Sequence, residues 1–150
     1  MKKWKLENSK ELINDLSKFS EKIQKKHAWG ACKRGATLIK KSAIENAKRI
    51  DAKEPGREDV KIYEHIKDAR APGLARMHNG VAYRVGIAGG AETPKGNSQR
   101  NPPTYWRHVE FGTEDTPAQP FMRPAIEQNT DNVVKEIINS LAERIKKESI

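Results

Sequence analysis

The feature that most constrains the fold is an apolar stripe with helical spacing between Leu12 and Ile50. Its members recur mostly at steps of three and four residues, the repeat of one helix face. They are Leu12, Leu16, Phe19, Ile23, Trp29, Cys32, Ala36, Ile39, Ala43, Ala47 and Ile50. Gly30 and Gly35 interrupt the stripe, each at a cost of about 1 kcal/mol relative to alanine. The pattern predicts one helix over about 9–52, or two with a bend near Gly30, ended by Pro55-Gly56.

The predicted helix has a start signal, and two strand signals follow it. Asn8 and Glu11 have the spacing of a capping box. Residues 60–67 are rich in β-forming residues, and residues 81–88 alternate well between apolar and polar positions. Asn79-Gly80 is a strong tight-turn signal before the second segment. Residues 88–103 are long for a structureless connection, which predicts a segment that is either mobile or ordered by a partner.

The C-terminal third contains the clearest helix signal. Val133, Ile137, Leu141 and Ile145 follow one another at steps of four. Pro124 must lie in the first turn of a helix, because a later proline would lose a hydrogen bond and clash with the preceding turn.

This constraint predicts an N-cap between Phe121 and Arg123, and Asn129-Thr130-Asp131 is a candidate restart. The segment 105–111 fits either a strand or a short helix. With 150 residues, the chain is predicted to be one domain: a basic helical region 9–52, a sheet and loops 60–120, and a C-terminal helix 122–148.

Positive charge is concentrated in the predicted N-terminal helix. The net charge is +9, and residues 1–53 account for all of it. No acidic residue lies between Lys22 and Ile44. Six basic residues at heptad spacing form a band beside the apolar stripe: Lys26, Lys33, Arg34, Lys40, Lys41 and Lys48. The band is either a solvated face or a surface for DNA or an acidic partner.

Candidate chemical motifs are weak throughout the sequence. His108 and Glu110, with Glu114 and Asp115, lack the helix-borne pair or cysteine partner expected of a zinc site. Cys32 lies on the apolar stripe, where a small core residue is expected rather than a nucleophile. As the only cysteine it excludes an internal disulfide. No signal peptide or membrane-spanning run is recognisable. We therefore predict no enzymatic activity, metal or cofactor.

Proline is concentrated in the segment that follows the ambiguous 105–111 stretch. Prolines restrict the unfolded chain and fix a shape, which benefits a docking surface. Glu110 and Arg123 lie near the two ends of this segment, and we consider that they pair across it, or that each is separately solvated. If they pair, reversing the charge of Glu110 collapses the loop, and adding Arg123→Glu partly rescues it.

The same segment carries a family resemblance. Val109-Glu-Phe-Gly-Thr113, a short spacer and Pro117-Ala-Gln-Pro-Phe-Met-Arg-Pro-Ala125 resemble the signature of the neck or tail-completion proteins of long-tailed phages, the lambdoid tail-component family. The signature residues here are Glu110, Phe111, Gly112, Thr113, Pro117, Ala118, Pro120, Phe121, Arg123 and Pro124. More loosely, the resemblance covers most of residues 10–145, but residues 54–59 depart from a Thr-Gly-x-Leu-Arg motif that many members carry.

The resemblance implies a mixed α+β domain with a long N-terminal helix, a small, mostly antiparallel sheet and a C-terminal helix. It also implies a structural virion protein that acts in head–tail joining or tail completion as a sixfold ring at the neck. Its partners would be copies of itself, the phage connector and the tail-tube or tail-terminator proteins, with no membrane. The protein would pass through the host cytoplasm during assembly. Our own hypothesis, which the resemblance does not supply, is that the basic band faces DNA in the channel or an acidic ring. The alternative function is a nucleic-acid-binding module that uses the basic helix.

Overall fold

The N-terminal stripe forms two helices. The computed structural model describes residues 9–51, 61–88 and 106–148. Helix α1 spans Ser9–Ser17 and helix α2 spans Glu21–Asp51. The predicted bend near Gly30 is wrong, because α2 runs through that position and the break lies at residues 18–20. Asn8 of the predicted capping box lies outside the described residues.

Polar groups around residues 17–24 account for the position of the break. The Ser17 hydroxyl donates to the Asn14 carbonyl at 2.7 Å, so it bonds an α1 carbonyl that a continuing helix would use. The Ser20 carbonyl accepts from the backbone N–H groups of Ile23 and Gln24 at 3.0 Å each, which starts the α2 ladder. The Gln24 amide donates to the Phe19 carbonyl at 2.7 Å. These local bonds satisfy the backbone where the two helices separate.

The glycines of α2 allow close packing against the C-terminal helix α6, Thr130–Glu148. A Cβ added to Gly35 would lie 2.9 Å from Ile137 Cδ1 and 3.1 Å from Val133 Cγ1. A Cβ added to Gly30 would lie 2.4 Å from Arg144 Cζ. The loss of helix propensity at these positions is therefore offset by contact between the helices.

The sheet has two strands and includes an additional helix in its connection. Strand β1, Ile66–Arg70, pairs antiparallel with β2, Tyr83–Ile87. The predicted strand over 60–67 is wrong in its first part, since Ile62–His65 form a 3-10 turn and pairing begins at Ile66. The predicted strand over 81–88 is confirmed as β2.

The connection between the strands contains helix α3, Pro72–Met77, with Pro72 at its first position. Asn79 has a φ of 47°, and the Gly80 N–H donates to the Ala75 carbonyl at 2.9 Å. The Asn79 N–H donates to the Arg76 carbonyl at 3.3 Å, so the pair closes α3 in a Schellman motif. The turn signal at Asn79-Gly80 was correctly located, but it ends a helix instead of joining two strands directly.

Three helices follow the undescribed segment 89–105, where most of the predicted 88–103 connection lies. They are α4 (Trp106–Phe111), α5 (Met122–Glu127) and α6. The ambiguous segment is therefore a helix from Trp106 onwards, so the described parts of the region 60–120 contain two α-helices beside the strands. The predicted single helix 122–148 is divided by residues 128–129. Phe121 is the N-cap of α5, which confirms the constraint from Pro124, and α6 begins at Thr130 as predicted.

The chain is an α+β protein with a long N-terminal helix, a small antiparallel sheet and a C-terminal helix. Its main core joins α2 to the 3-10 turn, β1 and α5, and both α6 and the sheet pack against α2. The buried cluster comprises Ala43, Ala47, Ile62, Ile66, Phe121 and Ala125. The small α2 residues leave room for Phe121, which is fully buried. This packing anchors one end of the proline-rich loop.

Candidate functional site

The proline-rich loop, residues 112–120, begins at a glycine that no other residue can replace without strain. Gly112 has a φ of +76°, a conformation that residues with a Cβ rarely adopt. Its N–H donates to the His108 carbonyl at 2.8 Å and so ends α4. A Cβ at this position would lie 2.8 Å from the Ala118 backbone nitrogen. Gly112 is therefore needed both for its backbone angle and for the close return of the chain.

Hydrogen bonds within the loop close it into a compact turn. The Thr113 N–H donates to the Thr116 carbonyl at 2.8 Å, and the Thr116 N–H donates to Thr113 Oγ1 at 3.1 Å. The Gln119 N–H then donates to the Val109 carbonyl at 2.7 Å. These bonds tie the returning chain to α4, so the loop has a defined shape.

Glu110 joins the two ends of the loop from a buried position. Its side chain is 3% exposed, and its carboxylate accepts three backbone hydrogen bonds. Oε2 accepts from the Phe121 N–H at 2.8 Å and the Met122 N–H at 3.0 Å, while Oε1 accepts from the Arg123 N–H at 3.0 Å. A negative group at the start of α5 satisfies N–H groups that have no partner inside the helix.

Neither alternative for Glu110 and Arg123 is correct, because Glu110 is buried and not solvated, and it does not pair with the Arg123 side chain. Glu110 contacts the Arg123 backbone, and the guanidinium lies instead 5.7 Å from the centre of the Phe111 ring. No ion pair joins the two side chains in the described part of the chain. The anticipated charge-swap rescue therefore has no basis, because the N–H groups remain when Arg123 is replaced.

The signature residues divide into an inward and an outward set. Phe121 and Ala125 are fully buried, and the Phe121 carbonyl accepts from the Asn46 amide of α2 at 3.2 Å. Phe111 is 63% exposed. The other outward residues are Thr113, Pro117, Ala118, Pro120 and Arg123, while Pro124 is half-buried. One set fixes the loop to the core, and the other presents a surface to solvent.

The predicted basic band is partly neutralised inside the molecule. The Lys26 ammonium lies 3.4 Å from a carboxylate oxygen of Glu148. The Arg34 guanidinium lies 3.1 Å from a carboxylate oxygen of Glu143 and 3.6 Å from one of Glu136. Lys40 lies 2.7 Å from Asp68, and this hydrogen bond lowers the pKa of the Asp68 carboxyl. The Lys48 ammonium lies 5.3 Å from the centre of the Tyr63 ring. Lys33 and Lys41 are exposed. The band is thus not one continuous free surface.

Arg144 is a functional candidate that the sequence did not suggest. It comes from α6, yet its guanidinium lies over Gly30 of α2 beside Lys33. The sequence signal is only an unexplained glycine in a long helix, and that signal does not identify the opposing residue.

Within the described residues, the side chains considered for catalysis or metal binding do not come together in one site. His108 is exposed on α4, and no three His, Cys, Asp or Glu side chains are grouped for metal binding within 9–51, 61–88 and 106–148. Cys32 is half-buried, and burial raises the pKa of its thiol, which disfavours the reactive thiolate.

The described helices also include no segment with the length and apolarity needed to cross a bilayer. Comparison of the chain with protein-family models, with curated proteins and with solved structures finds no match. The phage resemblance therefore depends on the sequence signature, and its functional content is argued below from the loop.

Proposed function

We propose that this chain is a structural virion protein that acts in phage head–tail joining or tail completion and assembles as a ring at the neck. The observation that carries the proposal is the loop 112–120, which is exposed yet held at both ends. Three backbone bonds to the buried Glu110 fix its return, and Gly112 fixes its start.

A loop of this kind suits binding to another protein. Its shape is set before contact, so less conformational entropy is lost when a neighbouring subunit docks. Phe111 and Ile126 are large apolar side chains that are 63% and 48% exposed. Phe111 also carries Arg123 beside its ring, and aromatic residues and arginine are the types enriched in interface centres.

The proposal assigns the other partners from the phage resemblance. They are the connector on the head side and the tail-tube or tail-terminator protein on the other side. The protein acts in the virion and is present in the host cytoplasm before assembly. The proposal includes no reaction and no cofactor.

Deleting the coding sequence from the phage or prophage genome that encodes it tests this function. We expect electron micrographs of the lysate to show DNA-filled heads and separate tails. Wild-type protein supplied in trans should restore joined particles, and the Phe111→Ser variant should not.

Met77→Ser is the matched control, because Met77 is 78% exposed and lies on α3, outside the loop. Normal joined particles from the deletion strain would contradict the proposal. If Phe111→Ser and Met77→Ser both failed to restore joined particles, the loop would have no specific role in joining.

The second candidate function is a nucleic-acid-binding module. Internal ion pairs of Lys26, Arg34 and Lys40 argue against a DNA surface made of the α2 band alone. Three cations that form no close ion pair within the described residues nevertheless line one groove, Lys33, Lys41 and Arg144, and their arrangement supports a more restricted form of this candidate.

A further inference from the structure

A groove between α2 and α6 collects basic side chains from both helices. It has a volume of about 370 Å³, and its wall includes Gly30, Lys33, Arg34, Lys41, Glu136 and Arg144. Four of these side chains are cationic and one is anionic. Arg34 is offset by Glu136 and Glu143, at 3.6 and 3.1 Å.

Three cations of the groove form no close ion pair, although the charge of Lys33, after that of Lys40, contributes to lowering the pKa of Asp68. Within the described part of the chain, no carboxylate oxygen lies within 4.0 Å of the charged atoms of Lys33, Lys41 or Arg144. Arg144 Nε donates to Ser140 Oγ at 3.4 Å. The guanidinium is thus partly oriented by a neutral group, and no carboxylate of residues 9–51, 61–88 and 106–148 forms an ion pair with it.

Gly30 determines where the guanidinium of Arg144 lies. A Cβ at Gly30 would be 2.4 Å from Arg144 Cζ, 2.5 Å from Nη1 and 2.8 Å from Nη2. All three atoms therefore occupy space that any other residue at position 30 would take. The glycine lets a planar donor group rest against the α2 backbone at one end of the groove.

We propose that this groove binds the phosphate backbone of duplex DNA without sequence preference. Arginine offers a planar pair of donors that matches a phosphate, and lysine adds a point charge. From Gly30, where Arg144 lies, to Lys41 the α2 backbone advances about 16 Å. That length corresponds to about five nucleotides at 3.4 Å each. An extended row of cations suits a polymer of phosphates better than one small anion.

This inference goes beyond ring assembly and does not depend on it. The groove uses residues of α2 and α6, whereas the proposed subunit contact uses the loop 112–120. A variant of the groove can therefore lose DNA binding and still join particles through the loop. A variant of the loop can likewise lose joining and still bind DNA.

The test measures binding of fluorescent duplex DNA by anisotropy at several salt concentrations. Each phosphate contact contributes about 0.9 to the slope of log affinity against log salt. Lys33→Gln/Lys41→Gln/Arg144→Gln should therefore reduce the slope by about 2.7. The control Lys22→Gln/Lys67→Gln/Arg84→Gln removes the same charge from exposed residues outside the groove wall and should reduce the slope by less than about 1.

A second variant tests geometry without changing charge. Gly30→Ala displaces the Arg144 guanidinium and should lower the slope by about 0.9, the loss of one contact, while circular dichroism shows a folded protein. An equal loss in the control triple variant would overturn the proposal. So would absent DNA binding, equally tight binding of poly-glutamate, or displacement of DNA by inorganic phosphate at matched ionic strength.

Discussion

At the scale of single residues, Glu110 determines the shape of the loop because one carboxylate satisfies three backbone N–H groups. From the sequence, Glu110 and Arg123 either pair across the loop or are separately solvated. The sequence could not show which group of Arg123 takes part, because backbone N–H groups are identical at every position except proline. The decisive facts are the burial of Glu110 and the start of α5 at Met122, which are tertiary properties.

Replacing Glu110 with alanine should strongly destabilise the fold. The substitution leaves three N–H groups near the core without their acceptor, and we expect a loss of about 3 kcal/mol in the free energy of unfolding. Arg123→Ala should cost less than about 1 kcal/mol, because the backbone bond remains and an exposed cation–ring contact is weak. Urea unfolding measures the free energy of unfolding of both variants. A smaller loss for Glu110→Ala than for Arg123→Ala would show that the carboxylate does not hold the loop.

Gly112→Ala should also destabilise the protein, by about 2 kcal/mol. The change places a Cβ at positive φ, 2.8 Å from a backbone nitrogen that cannot swing aside. Gly73 of α3 provides the control, since a Cβ there meets nothing within 4 Å and alanine favours a helix. Thermal melting of the two variants should shift in opposite directions, and a neutral Gly112→Ala would refute the strain argument.

At the scale of elements, α2 shows why a sequence pattern can locate a helix and still misplace its break. The apolar stripe continues through residues 18–20, and the polar bonds that end α1 there are invisible to periodicity. Gly30 and Gly35 gave the stronger breaking signal. They lie instead against α6, and a contact between helices distant in sequence cannot be read from either segment alone.

The two α2 glycines should respond differently to alanine. Gly35→Ala places a Cβ 2.9 Å from two Ile137 atoms and 3.1 Å from Val133, so the helices must separate, at a net cost of about 1 kcal/mol. Gly30→Ala meets the end of the flexible Arg144 side chain, which can move, so helix propensity should leave stability unchanged or raised. Chemical denaturation measures the free energy of unfolding of both variants. Equal changes in the two variants would contradict this account of the α2–α6 contact.

The contact between α2 and β1 should depend on pH. Lys40 lowers the pKa of Asp68 from its usual 3.8 through a 2.7 Å hydrogen bond. Because the folded pKa is the lower one, the stabilisation is complete above the unfolded value and is lost as pH falls through the folded value. The wild type should therefore be more stable than Asp68→Asn at pH 7, and the difference should shrink below about pH 4. A difference that stays constant between pH 7 and pH 2 would exclude this ionic contribution.

At the scale of the whole molecule, the α+β class could be anticipated from the sequence, while the distribution of charge on the surface could not. The net charge of +9 is known from the sequence and does not depend on the fold. Folding brings Glu136, Glu143 and Glu148 of α6 to the basic face of α2, and Lys33, Lys41 and Arg144 line one groove between the two helices. The loop 112–120 is separately fixed and exposed, so the proposed protein contact and the proposed DNA contact use different residues.

The measurement that tests the central claim most directly is cross-linking of the loop between copies of the chain in assembled particles. In a Cys32→Ala background, Ala118→Cys places the only thiol on the exposed loop, and Lys67→Cys places it on exposed β1 as a control. With a short bifunctional thiol reagent, each chain can be joined to one other chain through its single thiol, so we predict a cross-linked dimer band for Ala118→Cys and none for Lys67→Cys. A monomer band alone from joined particles that contain Ala118→Cys would contradict the claim that neighbouring copies contact this loop.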